Sequence, residues 1–142
     1  VSRHKCPPVR LVKGSRLSVR ELSRSAIDLS DSLACSLLWI ARQSRVDIEV
    51  NLRQIPVAPL LERWARHWGR PLKDYILYGG EDYELLFTSS ASARFIERYV
   101  PLAYPIGRVN KGAGEVLVND FDGTEIYLNE KRLGYQAFNG KP

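Results

Sequence analysis

A change of hydrophobic period near residue 45 constrains the fold more than any other feature of this sequence. The apolar residues before it repeat with the spacing of an amphipathic helix: Leu33, Leu37, Ile40 and Ala41. After the polar connection 43–45, the segment 46–50 alternates apolar and acidic residues, which is typical of a half-buried strand. A helix and a strand therefore follow one another with only a short connection.

The rest of the chain continues this mixture of periods. Further helices are expected at 60–68, 72–78 and 91–99, with Phe95 and Ile96 facing inward. Strands are expected at 83–88, 103–109, 116–118 and 125–128, the last two joined by an Asp-Gly hairpin turn. The apolar segment 25–29 is either a buried strand or a tight turn that enters the helix. Residues 1–13 are expected to be extended, with a turn at Gly14 and a helical turn over 17–24. The pattern predicts an α/β or α+β fold with a mixed β-sheet and packed helices.

Length and charge divide the chain into two parts. With 142 residues there is room for one domain with a real core, and we assign it to 25–142 after a basic lead-in at 1–24. The first 25 residues hold seven Lys or Arg and one Glu. Such an arm could contact phosphates or be a solvated, mobile segment. It has no aromatic residue to stack on bases, which argues against nucleic-acid binding.

Several classes of protein do not fit the composition. No apolar run reaches the roughly 18 residues of a membrane helix, and Cys6 and Cys35 do not form a disulfide framework. These features favour a reducing, cytoplasmic location and exclude a membrane protein. Because the sequence contains no methionine, we expect it to be part of a longer chain.

Two carboxylates enter the first helix three residues apart, at Asp28 and Asp31, with Ser30 between them. Mg²⁺ prefers hard oxygen ligands and usually takes one or two carboxylates, with phosphate and water completing the shell. A helix N-terminus also attracts anions. The motif thus suits a Mg²⁺-phosphate site, although Ser30 or Asp31 could instead be an ordinary helix cap.

Two further motifs carry candidate ligand contacts. Gly79 and Gly80 let the backbone approach a ligand closely, and Glu81 follows them directly; the alternative is a plain turn before a strand. Tyr135 and Phe138, near the end of the chain, could stack on a planar ring or complete a core.

Three segments, in this order, resemble thiamine-monophosphate kinases. Residues 25–33 resemble the family signature AIDLSDGL, residues 79–85 resemble GGEDYEL, and residues 106–109 with 134–138 resemble its IGRV strand and closing aromatic tail. The resemblance covers nearly the whole chain. It implies the carboxy-terminal domain of a member of the aminoimidazole-ribonucleotide-synthetase-like superfamily, with a mixed sheet and packed helices.

The resemblance also implies an activity and the roles of particular residues. The reaction would transfer the γ-phosphoryl group of ATP to thiamine phosphate and give thiamine diphosphate. Asp28 and Asp31 match Mg²⁺ ligands, Ser30 matches an ATP contact, Glu81 matches a substrate contact, and Tyr135 or Phe138 would meet the thiamine ring. No residue is expected to act as a catalytic acid or base.

Three departures from the family leave a second interpretation open. Ser32 stands where the family has Gly, and its side chain could crowd a phosphate; Ala137 replaces a His. The family's amino-terminal domain, which builds most of the ATP site, is not part of this sequence, so this chain alone is expected to be inactive. The resemblance also implies that the full-length enzyme is a homodimer. The alternative is a non-catalytic ligand-binding or regulatory module derived from the same family.

Overall fold

The computed structural model describes residues 6, 7 and 9–129. Its five α-helices are α1 (Leu11–Val19), α2 (Leu33–Ser44), α3 (Pro59–His67), α4 (Leu72–Tyr78) and α5 (Ala93–Tyr99). Its strands are β1 (Ser25–Asp28), β2 (Val46–Asn51), β3 (Leu85–Thr88), β4 (Gly107–Lys111), β5 (Val116–Asn119) and β6 (Glu125–Tyr127). A single 3₁₀ turn, Leu52–Gln54, follows β2.

The strands of the described range form two sheets. The larger has the order β4-β2-β5-β6, in which β2 and β5 run parallel and the other neighbours run antiparallel. The smaller is the antiparallel pair β1-β3. The predicted mixed sheet with packed helices is therefore confirmed, as is the hairpin that joins β5 to β6.

The main core lies between α2, α4 and one face of the larger sheet. The apolar stripe predicted for α2 is buried, and so are the alternate residues Val50, Val116 and Val118 of the sheet, each at most 1% exposed. Fully burying an aliphatic side chain of this size contributes about 1.5–3 kcal/mol. The connection between α2 and β2 is short because Arg45 takes a left-handed conformation (φ 53°) and ends the helix at once.

A second, smaller core packs the start of the chain against the smaller sheet. Leu17 of α1 and Leu22 are buried with Ile96 of α5 and Val100. The extended lead-in expected up to residue 13 is wrong, because α1 begins at Leu11 and carries Gly14 inside it. Burial of the apolar residues outweighs the cost of a helical glycine, which is about 1 kcal/mol.

One inward-facing residue was also predicted wrongly. Phe95 is 46% exposed, whereas its neighbour Ile96 is buried. The Phe95 ring instead packs on Tyr99 along the surface of α5, with ring centroids 5.2 Å apart.

Polar contacts fix both ends of the larger sheet. One carboxylate oxygen of Asp47 accepts three backbone N–H groups of the β4–β5 turn, from Ala113, Gly114 and Glu115, at 2.9–3.0 Å. The ammonium group of Lys73 on α4 pairs with the buried Asp120 at the β5–β6 turn. Within the described residues, no helix is both long enough and apolar enough to span a bilayer.

Candidate functional site

The corner between β1 and α2 holds the first predicted motif. β1 ends at Asp28, and α2 begins after Ser32, whose hydroxyl accepts the backbone N–H of Cys35 at 3.1 Å. The N-cap is therefore Ser32, and the alternative that Ser30 or Asp31 caps this helix is wrong. Helix capping therefore does not explain why an aspartate is present at position 31.

Both aspartates of this corner face solvent. Asp28 and Asp31 are exposed, and within the described residues neither carboxylate makes a hydrogen bond or an ion pair. The backbone carbonyl of Asp28 is held separately, because it accepts the Ser36 hydroxyl at 3.2 Å. The carboxylates are thus accessible to a ligand while the main chain behind them is fixed.

The glycine-pair segment lies directly against this corner. The backbone N–H of Glu81 donates to the carbonyl of Ser30 at 2.8 Å, and that of Tyr83 donates to Leu29 at 2.9 Å. The Leu29 N–H donates in return to the carbonyl of Glu84 at 2.9 Å. These bonds continue the antiparallel pairing of β1 with β3 into the two loops, so two motifs about 50 positions apart form one surface.

Gly80 is the closest point of this contact. A Cβ atom built on it would lie 2.3 Å from the carbonyl oxygen of Asp31 and 3.2 Å from that of Ser30. No side chain larger than hydrogen fits there without moving the main chain of one segment. The glycine is therefore required by the approach of the two backbones.

Unusual backbone conformations follow the glycine pair. Glu81 (φ 63°) and Tyr83 (φ 50°) both lie in the left-handed region, which non-glycine residues rarely occupy. Asp82 lies between them in the sequence. These left-handed residues interrupt the extended conformation, so the regular strand begins only at Leu85.

The corner is strongly acidic. Asp28, Asp31, Glu81, Asp82 and Glu84 all belong to the two contacting segments. Partial burial of the carboxyl group raises the pKa of Asp82, and the charge of Glu84 raises it further. Burial and a neighbouring like charge both disfavour the ionised form of a carboxyl group.

A thiol lies one helical turn from Asp31. Burial raises the pKa of Cys35, as does the Asp31 charge to a smaller degree, while a hydrogen bond with Trp39 opposes both. Cys35 is half-buried and Cys6 is exposed. The Cys35 thiol is neutral near pH 7 and does not compete with carboxylates for a hard cation.

The carboxylates fit part of a magnesium site. Within the described residues, no group of three or more His, Cys, Asp or Glu side chains is arranged to hold a metal ion. Asp28 and Asp31 supply two hard oxygen donors at an exposed corner, which is the number that Mg²⁺ commonly takes from a protein when phosphate and water complete its shell.

Of the two substituted positions and the two tail aromatics, only Ser32 lies within the described residues. Ser32 is 1% exposed, its hydroxyl caps α2, and its backbone is extended (φ −166°), so this position does not need glycine. Tyr135, Phe138 and Ala137 lie outside the described residues.

The sequence analysis missed one residue of this region, Arg10. Its guanidinium group pairs with the carboxylate of Glu84, across 74 positions of sequence. No local pattern marks that pairing, and only the opposite charges of the arm and the acidic segment could have suggested it. The shallow pocket lined by Glu49, Asn51 and Arg108 lies elsewhere, along the larger sheet, and has a volume of about 270 Å³.

Comparisons with known proteins agree with the resemblance. No protein-family model matches the sequence. A thiamine-monophosphate kinase of Aquifex aeolicus is 32% identical over 118 residues, covering 80% of this chain and 36% of the relative. One of Bacillus subtilis is 31% identical over 145 residues, covering 97% and 42%. This chain carries a thiamine-monophosphate-kinase-like domain.

Solved structures agree on the fold of this kinase-like domain. The protein described as AaThiL complexed with AMPPCP and TMP superposes with a TM-score of 0.69 at 31% identity, over 88% of this chain and 38% of that one. The hydrogenase maturation protein HypE superposes with a TM-score of 0.68 at 20% identity, over 82% and 40%, and supports the fold alone. The chain thus spans about two-fifths of the kinases to which it is similar.

Proposed function

We propose that this chain is the carboxy-terminal domain of a thiamine-phosphate kinase and supplies one side of its Mg²⁺-nucleotide and substrate site. The complete enzyme would transfer the γ-phosphoryl group of ATP to thiamine phosphate, giving thiamine diphosphate. The observation that carries the proposal is the contact between the two acidic motifs, in which Gly80 meets the main chain of Asp31 while both aspartates of the corner stay open to solvent.

Each residue at the corner has a distinct role in this proposal. Asp28 and Asp31 hold the cation, Ser30 contacts the nucleotide, and Glu81 contacts thiamine phosphate. Tyr135 and Phe138 are proposed as partners of the thiamine ring on the strength of the family resemblance alone. Mg²⁺, when bound, would neutralise charge on the transferring phosphoryl group.

The proposed chemistry asks little of the protein beyond binding and orientation. The attacking oxygen belongs to a phosphate that is already ionised near neutral pH, so no strong general base is needed. In-line phosphoryl transfer depends mainly on positioning and on charge stabilisation. A corner of carboxylates with a fixed backbone and no histidine is compatible with this requirement.

An incomplete site leads to a further part of the proposal. Two carboxylates are too few to coordinate a cation fully and to bind a triphosphate as well. The related kinases are also more than twice as long as this chain. We therefore propose that an amino-terminal domain supplies the remaining contacts, that the chain alone is inactive, and that the assembled enzyme is a cytoplasmic homodimer.

Titration of this chain tests the proposal. Binding is measured by adding Mg²⁺ with a non-hydrolysable ATP analogue, followed by thiamine phosphate. Turnover is measured with Mg²⁺, ATP and thiamine phosphate. Both measurements use the chain alone and the chain mixed with the amino-terminal half of a related kinase. We expect turnover only in the mixture, and a loss of at least about 100-fold in Asp31→Asn, since charge stabilisation of this kind is commonly worth 10²–10³ in rate.

A matched carboxylate variant separates a specific effect from a loss of charge. Glu62 is exposed in the first turn of α3, so Glu62→Gln removes one charge outside the corner and is expected to keep full turnover. Binding without turnover in any mixture would favour the non-catalytic module. No binding of metal, nucleotide or thiamine phosphate in either setting would overturn the proposal.

A further inference from the structure

The basic arm reaches the acidic corner through one residue. The Arg10 Nε donates to Oε2 of Glu84 at 2.8 Å, and its Nη2 donates to Oε1 of the same carboxylate. The two side chains are 22% and 40% exposed. A two-point guanidinium–carboxylate pair fixes the relative orientation of its partners as well as their distance, so it constrains more than a single surface contact does.

The carboxylate partner belongs to the segment that meets the metal corner. The Glu84 carbonyl accepts the Leu29 N–H at 2.9 Å, and the neighbouring Tyr83 N–H donates to the Leu29 carbonyl at 2.9 Å. Leu29 lies between Asp28 and Ser30 in the sequence. A displacement of Glu84 would therefore move Leu29, whose neighbours in the sequence are proposed ligand-binding residues.

The main chain of Arg10 is also held in place, by the first turn of α1. Its carbonyl accepts the Gly14 N–H at 2.9 Å as the first turn of α1. α1 in turn buries Leu17 in the small core, against which Leu85 and Phe87 of β3 also pack. Arg10 thus joins a packed helix to the loop that precedes β3, and that loop has two residues in the left-handed conformation.

We propose that Arg10 is a positioning residue for the proposed magnesium and substrate site. It holds the segment 81–84 against the β1–α2 corner, and it offsets one negative charge of an acidic cluster that has to approach a triphosphate. The proposal rests on the proposed function for its link to ligand binding, but the ordering of the segment is a property of this chain alone.

Hydrogen exchange measures that ordering without any ligand. In Arg10→Gln we expect the amides of Leu29, Glu81 and Tyr83 to exchange about tenfold faster than in the unchanged chain, relative to its slowest core amides. A charge-assisted two-point pair of this partial exposure is expected to shift such an opening equilibrium by about that factor. Glu84→Gln should give the same acceleration.

A second arginine on the same helix provides a matched control. Arg16 of α1 donates to the carbonyl of Tyr99 on α5 at 3.2 Å, away from the corner. Arg16→Gln makes the same chemical change and is expected to leave exchange at Leu29, Glu81 and Tyr83 unaltered. Equal acceleration in Arg10→Gln and Arg16→Gln would mean that only general stability had changed, and would overturn the proposal.

Ligand binding then separates this proposal from the proposed function. Mg²⁺ with a non-hydrolysable ATP analogue is titrated by calorimetry into the chain mixed with the amino-terminal half. We expect Arg10→Gln to weaken binding about tenfold, Arg10→Lys to weaken it less because the ammonium keeps the charge without the two-point geometry, and Arg16→Gln to leave it unchanged.

The outcomes distinguish the two claims. Absence of binding to the unchanged protein would defeat the proposed function, and the exchange rates alone would then decide whether Arg10 orders the segment. Faster exchange in Arg10→Gln with unchanged affinity would show that the ordered segment does not serve the ligand. Exchange within twofold of the unchanged chain would contradict the positioning role itself.

Discussion

Gly80→Ala is the sharpest structural test of the contact between the two motifs. The new Cβ would lie 2.3 Å from the Asp31 carbonyl oxygen, whereas contacts below 3.0 Å are essentially never seen. The obstacle is main chain, which cannot rotate out of the way as a flexible side chain can. The two segments must therefore separate by about 0.7 Å.

The size of the effect follows from two opposing contributions. Overpacking of this kind costs about 1–3 kcal/mol, and the strained hydrogen bond from Glu81 to Ser30 could lose up to about 1 kcal/mol. Against this, replacing glycine reduces the entropy of the unfolded chain and returns about 0.4–1 kcal/mol. We expect a net destabilisation of about 1–2 kcal/mol.

Urea denaturation followed by tryptophan fluorescence measures this change, and Gly14→Ala is its control. Gly14 lies inside α1, and apart from the backbone of its own helix a Cβ there would meet no heavy atom within 4 Å. The control should stabilise the chain by about 0.5–1 kcal/mol, because alanine is the better helix former. If Gly80→Ala were as stable as Gly14→Ala, the close approach of the two motifs would be wrong.

Two further predictions concern single polar side chains. The backbone N–H groups of Glu115, Gly114 and Ala113 hold the pKa of Asp47 below its usual range. Because the pKa is lower in the folded state, the ionised carboxylate stabilises the fold at pH values above the unfolded carboxyl pKa of about 3.9. This stabilisation is lost as the pH falls through the pKa of the folded state. Asp47→Asn should therefore have a lower urea midpoint than the unchanged chain at pH 7, and the difference between the two midpoints should be smaller at pH 3. An equal difference at both pH values would contradict this. Ser32→Ala removes the cap of α2 and should cost about 0.5–2 kcal/mol in urea denaturation, whereas Ser32→Gly, the family's own residue, should cost only a few tenths; equal costs would show that the hydroxyl does not cap the helix.

Local sequence patterns sufficed for the elements whose residues carry their own signal. The stripe of α2 and the alternation of β2 differ in period, and each is buried on the face that its period predicts. Where the signal was a lone residue, the prediction failed. Gly14 suggested a turn but lies in a helix, because Leu17 and the small core decide the conformation of that segment.

The sequence indicated the two motifs of the candidate site but not their contact. Asp28, Asp31 and Glu81 were selected because they lie in motifs that resemble a family, and neither motif alone is specific. Their contact depends on the register of β1 with β3, a pairing across about 60 positions that no local pattern specifies. For the same reason Arg10 could not be connected to Glu84 from the sequence.

The central claim is that the two acidic motifs form one Mg²⁺-nucleotide and substrate site, and paramagnetic broadening by Mn²⁺ tests it most directly. With an ATP analogue present, sub-stoichiometric Mn²⁺ should broaden the amide signals of 28–32 and 80–82 at the same concentration, and Asp31→Asn should abolish both effects. Broadening confined to one motif, or centred on the carboxylates of Asp47 or Asp120 at the ends of the larger sheet, would contradict the account.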